Sequence, residues 1–252
     1  MCIRDRHNPE SSFPQLLQAI EADSLTYRQG AVNLLSSHPD LRGATVVTKY
    51  FNDLKSGKKR DRTIELEMTS AARSFKDPLP TKALESYHST LRNNPLGAYQ
   101  ESLFGGNKGR GKALFESHPV AQCARCHSRA KNGNTQNMAG PNLSQIGKKS
   151  QEFLLESLLL PSAKIASGYA PIQLKLKNGE TLSGPLLEST SDFIRLTVDG
   201  KARQISRDGI EKTIDPISPM PAMKGLLKPN ELRDLIAYLK SLSPKKKTGK
   251  SE

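Results

Sequence analysis

Two cysteines and a histidine lie together in the segment Cys123-Ala124-Arg125-Cys126-His127. Thiols three positions apart on one helical turn face the same side, so each can add to one of the two vinyl groups of a single porphyrin. The adjacent His127 then offers an imidazole nitrogen to the iron. This C-x-x-C-H spacing is the attachment signature of c-type haem and predicts haem c bound covalently by Cys123 and Cys126, with His127 as iron ligand.

Three other interpretations of the cysteine pair compete with haem attachment. A redox dithiol needs a thioredoxin-like βαβ context, which the surrounding pattern lacks. A structural zinc site needs two more ligands close by, and the sequence has only three cysteines, so there is no second pair. The last alternative is an incidental pair of buried thiols. We prefer haem attachment to all three.

Iron held by one histidine usually takes a sixth ligand, and that ligand sets its redox behaviour. The candidates are Met138, Met220, Met223 and His118. Met138 follows His127 closely, and His118 precedes the attachment loop, so both have difficulty reaching the opposite face of the ring. Met220 lies in a Ser-Pro-Met-Pro stretch, where proline on both sides restricts the backbone and suits a thioether held at a fixed distance. We expect Met220 to be the ligand, with Met223, an open site, or Met220 as core filler as alternatives.

Helical patterns flank the attachment segment. Four glycines between Gly105 and Gly111 mark a break in composition, and we place a domain boundary there. A helix is expected through Phe115, followed by the loop that carries the cysteines. A strongly apolar helix is predicted over 150–160, and a last helix begins at Pro229, because proline suits the first helical position.

Between the last two helices the hydrophobic period changes from 3.6 to 2. The alternating runs lead into Asn178-Gly179 and Asp199-Gly200. Such dipeptides favour two-residue hairpin turns, because both central positions adopt positive φ. We therefore expect a small β meander of four strands over about 170–214, inserted in an otherwise helical domain.

Residues 1–104 show helical periodicity and predict stacked helix pairs, weakly similar to HEAT-type repeats, with a plain helical bundle as the alternative. Residues 1–6 resemble translated adapter sequence, and we expect the chain to be the C-terminal part of a longer protein. Residues 244–252 are rich in lysine and predict a disordered basic tail.

The chain is strongly basic: 38 Lys and Arg residues against 25 Asp and Glu residues give a formal net charge of +13. Around the attachment loop, Glu116 is the only acid between Gly105 and Lys131, so we expect a basic rim that steers acidic redox partners. The basic residues of this rim are Lys108, Arg110, Lys112, Arg125, Arg129 and Lys131. No apolar run approaches the ~18 residues of a membrane span. Nucleic-acid binding is not expected.

From about Gly105 to Leu242 the chain resembles a class I c-type cytochrome. More closely, it is similar to the haem-binding C-terminal domain of Planctomycetes-type membrane-bound dehydrogenases. Besides C-x-x-C-H, the resemblance rests on a Gly-Pro-Asn-Leu segment at 140–143, on Met220-Pro221 and on paired helices. The helix contact residues of the family correspond to Gly111, Phe115, Leu235 and Tyr238.

The resemblance implies a mainly α fold, with a cytochrome c-like haem domain at 105–243, the inserted β meander and a HEAT-like helical region before it. In the family, the proline carbonyl of the Gly-Pro-x-Leu loop accepts the proximal imidazole N–H, which implies that Pro141 orients His127. The family's proteins often carry a dehydrogenase domain further upstream.

The implied function is electron transfer without catalysis by this domain, which relays single electrons from an associated dehydrogenase to an acceptor. A haem enzyme or gas sensor with an open sixth coordination site is one alternative. Another alternative is a helical interaction protein in which haem only stabilises the structure. Because haem attachment takes place outside the energy-transducing membrane in systems of this kind, we expect an exported, periplasmic protein.

Overall fold

A computed structural model describes residues 9–37, 42–130, 139–169, 171–214 and 216–243. These residues are mainly helical and include a small antiparallel sheet. The expectations for residues 1–6, for Met138 and for the tail at 244–252 lie outside the described residues.

The chain forms two compact units. The first unit comprises the described residues of Met1–Gly111 together with Lys228–Tyr238, and the second comprises those of Lys112–Leu227 and Leu239–Glu252. The first unit is therefore built from two separate stretches of the sequence.

Five of the described α-helices precede the glycine cluster. They are α1 (Pro9–Ile20), α2 (Leu25–Leu35), α3 (Arg42–Lys55), α4 (Glu65–Ser74) and α5 (Pro78–Thr90). Their apolar faces meet in one core, where Phe51 is fully buried and its ring centroid lies 6.0 Å from that of Tyr87. α1 packs against α2, whereas α3 packs chiefly against α5. The predicted helical region is present, and its similarity to HEAT-type repeats remains a prediction.

Four further α-helices belong to the remainder of the described chain. They are α6 (Lys108–Ser117), α7 (Cys123–Cys126), α8 (Gln151–Leu159) and α9 (Pro229–Ser241). The Ser150 hydroxyl caps α8 by accepting the N–H of Phe153 at 3.1 Å. The Glu231 carboxylate stabilises the start of α9 by accepting the N–H of Lys228 at 2.8 Å. The helices predicted near Phe115, over 150–160 and from Pro229 are thus all present.

The inserted sheet has five strands, not the four predicted. They are β1 (Pro171–Leu176), β2 (Thr181–Ser189), β3 (Phe193–Val198), β4 (Lys201–Ser206) and β5 (Ile210–Ile214). The order is β4-β3-β2-β1-β5, and all pairs are antiparallel. The prediction was wrong about the strand number because β5 pairs with β1, far away in sequence, and no hairpin turn announces that pairing.

The two predicted hairpin turns differ in the structure. Asp199 and Gly200 have φ of 50° and 75°, so both central residues of the β3–β4 turn are left-handed, as expected. At the β1–β2 connection only Gly179 is left-handed, with φ of 90°, and the N–H of Gly179 donates to the carbonyl of Leu176. Asn178 does not adopt the positive φ that was predicted, because this connection is four residues long rather than two.

Candidate haem-attachment site

The two cysteines occupy a single helical turn, α7, with Cys123 half-buried and Cys126 exposed. No disulfide joins Cys123 to Cys126. Gln122, just before the turn, is left-handed with φ of 43°, and its side-chain oxygen accepts a hydrogen bond from Arg125 at 2.6 Å. Burial raises the pKa of the Cys123 thiol, which keeps it protonated at neutral pH. A pair of thiols three positions apart on one turn has the geometry needed to bond to one porphyrin.

His127 follows directly, and its ring is oriented from the opposite loop. Its backbone N–H donates to the carbonyl of Cys123 at 3.0 Å and closes the turn. Its Nδ1 lies 2.9 Å from the carbonyl oxygen of Pro141. A carbonyl can only accept, so Nδ1 carries the proton, and in the neutral ring Nε2 keeps its lone pair. This is the hydrogen bond that the resemblance implied for Pro141, and it prepares Nε2 to bind a metal.

Gly140 packs its backbone against the same imidazole. A Cβ at this position would lie 2.6 Å from Cε1 and 2.8 Å from Nδ1 of His127, closer than real Cβ atoms approach their neighbours. The N–H of Gly140 donates to the carbonyl of Cys126 at 2.9 Å, and the N–H of Leu143 donates to the carbonyl of Ser128 at 2.8 Å. The loop is therefore hydrogen-bonded to Cys126 and to Ser128 by residues on both sides of Pro141. The Gly-Pro-Asn-Leu motif by itself does not reveal this contact between Gly140 and His127.

Met220 lies on a separate segment just before α9, and its side chain is half-buried. Met223 is 2% exposed, so its thioether is enclosed in the core. The Nδ1 of His118 accepts the N–H groups of Val120 and Ala121 at 3.2 and 3.0 Å. Of the described candidates, Met223 is thus engaged in packing and His118 in a turn.

Of the helix contact implied by the resemblance, the structure shows the close approach of Gly111 to Tyr238. At Gly111 in α6, a Cβ would lie 1.9 Å from the carbonyl oxygen of Asp234 and 2.8 Å from Cβ of Tyr238, both in α9. Two further contacts hold this crossing: the Asp234 carboxylate, almost fully buried, accepts the N–H of Asn107 at 2.6 Å and a guanidinium hydrogen bond from Arg110 at 3.1 Å. The role of Asp234 was not predicted, because its partners are more than a hundred residues away.

Part of the predicted basic rim is neutralised. Arg110 is bound to Asp234, and that hydrogen bond raises the pKa of Arg110. Arg129 pairs with Glu116 at 2.9 Å and lies over the ring of Phe115, 5.0 Å from its centroid. Lys131 lies outside the described residues.

Two negative observations apply to the described ranges alone. No group of three or more His, Cys, Asp and Glu side chains there is arranged to hold a metal ion. No helix in the described part of the chain has both the length and the apolar character to cross a bilayer.

The family comparison gives an independent result. A protein-family model described as Cytochrome c matches residues 109–243, more than half of the chain, and this stretch contains the cysteine turn, Pro141 and Met220. A search of curated proteins found no match. The length of the family match, together with a cysteine turn and a proline loop that fit haem c, shows that this chain belongs to the cytochrome c family.

Proposed function

We propose that this chain is an electron-transfer cytochrome in which Cys123 and Cys126 bond covalently to haem c, while His127 and Met220 ligate the iron. The observation that carries the proposal is the hydrogen bond from Nδ1 of His127 to the Pro141 carbonyl, with Gly140 packed on the ring. This arrangement fixes the tautomer in which Nε2 is the metal-binding nitrogen. The bound haem supplies a one-electron ferric–ferrous couple.

The residues of the chain determine which reactions that couple can take part in and what its reduction potential is. His127 and Met220 would both hold the iron, and an iron bound by two protein ligands would be suited to electron transfer rather than to reaction with dioxygen or peroxide. A thioether ligand also raises the reduction potential relative to a second imidazole. Buried side chains of the second unit, among them Phe115, Leu154 and Leu158, exclude water and act in the same direction.

The proposal also concerns the redox partners, that is, the electron donor and the electron acceptor. We propose that single electrons arrive from an associated dehydrogenase and leave to an acceptor with an acidic docking surface. The net charge of +13 supports an acidic partner, because opposite charges accelerate encounter at low salt. The similarity to the Planctomycetes-type haem-binding domain and its HEAT-like region supports the link to a dehydrogenase. Cytochrome c domains are often exported, which supports a periplasmic location.

Replacement of the proposed sixth ligand tests the function. In haem-loaded Met220→Ala we expect the ferrous protein to bind carbon monoxide and the reduction potential to fall, because the thioether is lost. Met223→Leu is the matched control, since Met223 is enclosed in the core and should leave both properties unchanged. The measurements are the ferrous absorption spectrum with and without carbon monoxide, and a potentiometric titration.

Two outcomes would contradict this proposal. If the unmodified ferrous protein already binds carbon monoxide, the sixth site is open, and a haem enzyme or gas sensor becomes the better interpretation. If Met220→Ala has the spectrum and potential of the unmodified protein, Met220 is not the ligand.

A further inference from the structure

The two ends of the inserted sheet meet close to Met220. The chain leaves α8 at Leu160 and returns from β5 through 216–220. The backbone N–H of Ser218, on the returning connection, donates to the hydroxyl oxygen of Ser162, on the outgoing one, at 3.1 Å. This hydrogen bond joins the two connections that lead into and out of the sheet, two residues before Met220.

The outgoing connection is also attached to the sheet itself. The Ser167 hydroxyl donates to the carbonyl of Leu187 in β2 at 3.0 Å, and the N–H of Gly168 donates to the carbonyl of Leu186 at 3.0 Å. The segment that Ser218 contacts is thus bonded to the sheet at its far end.

Ser218 also bonds to Met220 directly. The backbone N–H of Met220 donates to the hydroxyl oxygen of Ser218 at 3.2 Å. Pro219 and Pro221 have no N–H, so Met220 carries the only backbone donor between 219 and 221. The Ser218 hydroxyl therefore accepts the single hydrogen bond that this proline-flanked stretch can donate from its backbone.

The other side of Met220 is anchored on α8. The N–H of Met223 donates to the carbonyl of Leu158 at 2.8 Å, and the Met223 carbonyl accepts the N–H groups of Leu226 and Leu227, each at 3.1 Å. The backbone is therefore fixed by hydrogen bonds on both sides of Met220: at Met223, which binds Leu158, and at Ser218, which binds Ser162.

We infer that Ser218 is a positioning residue for Met220. Its hydroxyl fixes the backbone of the residue that carries the sulfur, and its N–H ties that backbone to Ser162 and hence to the inserted sheet. A ligand whose backbone is held in place loses less conformational entropy when its sulfur binds, so it resists replacement by a competing ligand. This inference rests on the proposed function, because it takes Met220 as the sixth ligand.

Competition by imidazole in the haem-loaded ferric protein tests the role of Ser218. For Ser218→Ala we expect about five-fold tighter apparent binding of imidazole, the factor produced by losing one hydrogen bond of ~1 kcal/mol, together with a lower reduction potential. Ser218→Thr keeps a hydroxyl and should restore both values. Ser162→Ala should change both in the same direction by less, because the Ser218–Met220 bond remains.

Ser191→Ala is the matched control, since this exposed hydroxyl lies in the β2–β3 connection and donates to the Asp192 carboxylate at 2.7 Å. It should behave as the unmodified protein. If Ser218→Ala lowers thermal stability but leaves imidazole binding and potential unchanged, while Met220→Ala alters both, Ser218 is merely structural and the inference is wrong. If Met220→Ala itself alters neither, the ligand assignment fails, and this inference fails with it.

Discussion

Gly140 and Pro141 show how two neighbouring residues orient one imidazole. Pro141 contributes its carbonyl, which lies 2.9 Å from Nδ1 of His127, and Gly140 contributes the absence of a side chain. The first sets the tautomer, and the second lets the loop come close enough for the hydrogen bond to form. Conformational freedom is not the reason for glycine here, because Gly140 does not have a positive φ. Space beside the ring is the reason.

The substitution Gly140→Ala tests this steric role. The added methyl group would lie 2.6 Å from Cε1 of His127, so either the ring or the loop must move. We expect destabilisation of about 1–3 kcal/mol, typical of overpacking, and a lower ratio of haem to protein after maturation. Denaturant unfolding and the haem-to-protein ratio measure the two effects.

Gly209→Ala is the control for this experiment, because a Cβ at Gly209 meets nothing within 4 Å. It should load haem and unfold as the unmodified protein does. Normal haem loading and stability in Gly140→Ala would show that the ring has room for the methyl group, contrary to the structure.

Among the elements, the crossing of α6 and α9 depends on a close approach of two backbones. Gly111 allows the contact, and the buried Asp234 carboxylate holds it by binding the N–H of Asn107 and the guanidinium of Arg110. Asn107 in turn caps α6, since its side-chain oxygen accepts the N–H groups of Gly109 and Arg110 at 2.9 and 3.0 Å. The start of one helix is thereby tied to the middle of the other.

Two helical glycines give opposite predictions for the same substitution. Gly111→Ala should destabilise the protein by about 3 kcal/mol, because the new Cβ would lie 1.9 Å from the backbone oxygen of Asp234. Gly30→Ala in α2 should instead stabilise it by about 0.5–1 kcal/mol, because a Cβ there meets nothing within 4 Å and alanine favours the helix. Denaturant unfolding of both variants provides the comparison. Equal effects of the two substitutions would contradict a close helix crossing at Gly111.

At the scale of the whole molecule, the last helix of the family match folds together with the N-terminal helices. Arg233 in α9 forms an ion pair with Glu67 in α4, with nitrogen–oxygen distances of 2.9 Å, and the two side chains are only 5% and 8% exposed. The Ser102 hydroxyl donates to the carbonyl of Pro229 at 3.0 Å. These contacts join residues that lie on either side of Gly105 in the sequence.

Removing one member of this buried ion pair tests whether the two stretches fold as one unit. Glu67→Leu leaves the Arg233 charge buried without its partner, and we expect a loss of about 3–5 kcal/mol in the free energy of unfolding. The double variant Glu67→Leu with Arg233→Met should recover much of that loss, since no uncompensated charge remains. Denaturant unfolding followed by circular dichroism measures both.

Lys55→Ala is a suitable control, because Lys55 makes an exposed hydrogen bond to Ser86 and no buried ion pair. It should change the free energy of unfolding by less than about 0.5 kcal/mol. A loss as small as this in Glu67→Leu would contradict the idea that α9 depends on α4.

Local patterns in the sequence were sufficient for the features that depend on near neighbours. The C-x-x-C-H segment indicated the helical turn that carries Cys123 and Cys126. The change of period indicated where the sheet is inserted, and Asp199-Gly200 predicted its hairpin turn. In each case the relevant residues are within a few positions of one another, so spacing alone carries the information.

The tertiary structure alone decided the features that depend on distant contacts. The fifth strand pairs with β1, Asp234 binds residues at the start of α6, and Ser218 joins Ser162 to Met220. The sequence contains these residues but no spacing that links them, because each contact forms only when the chain brings distant segments together. Loop closure and packing, rather than local propensity, determine which of the many polar residues meet.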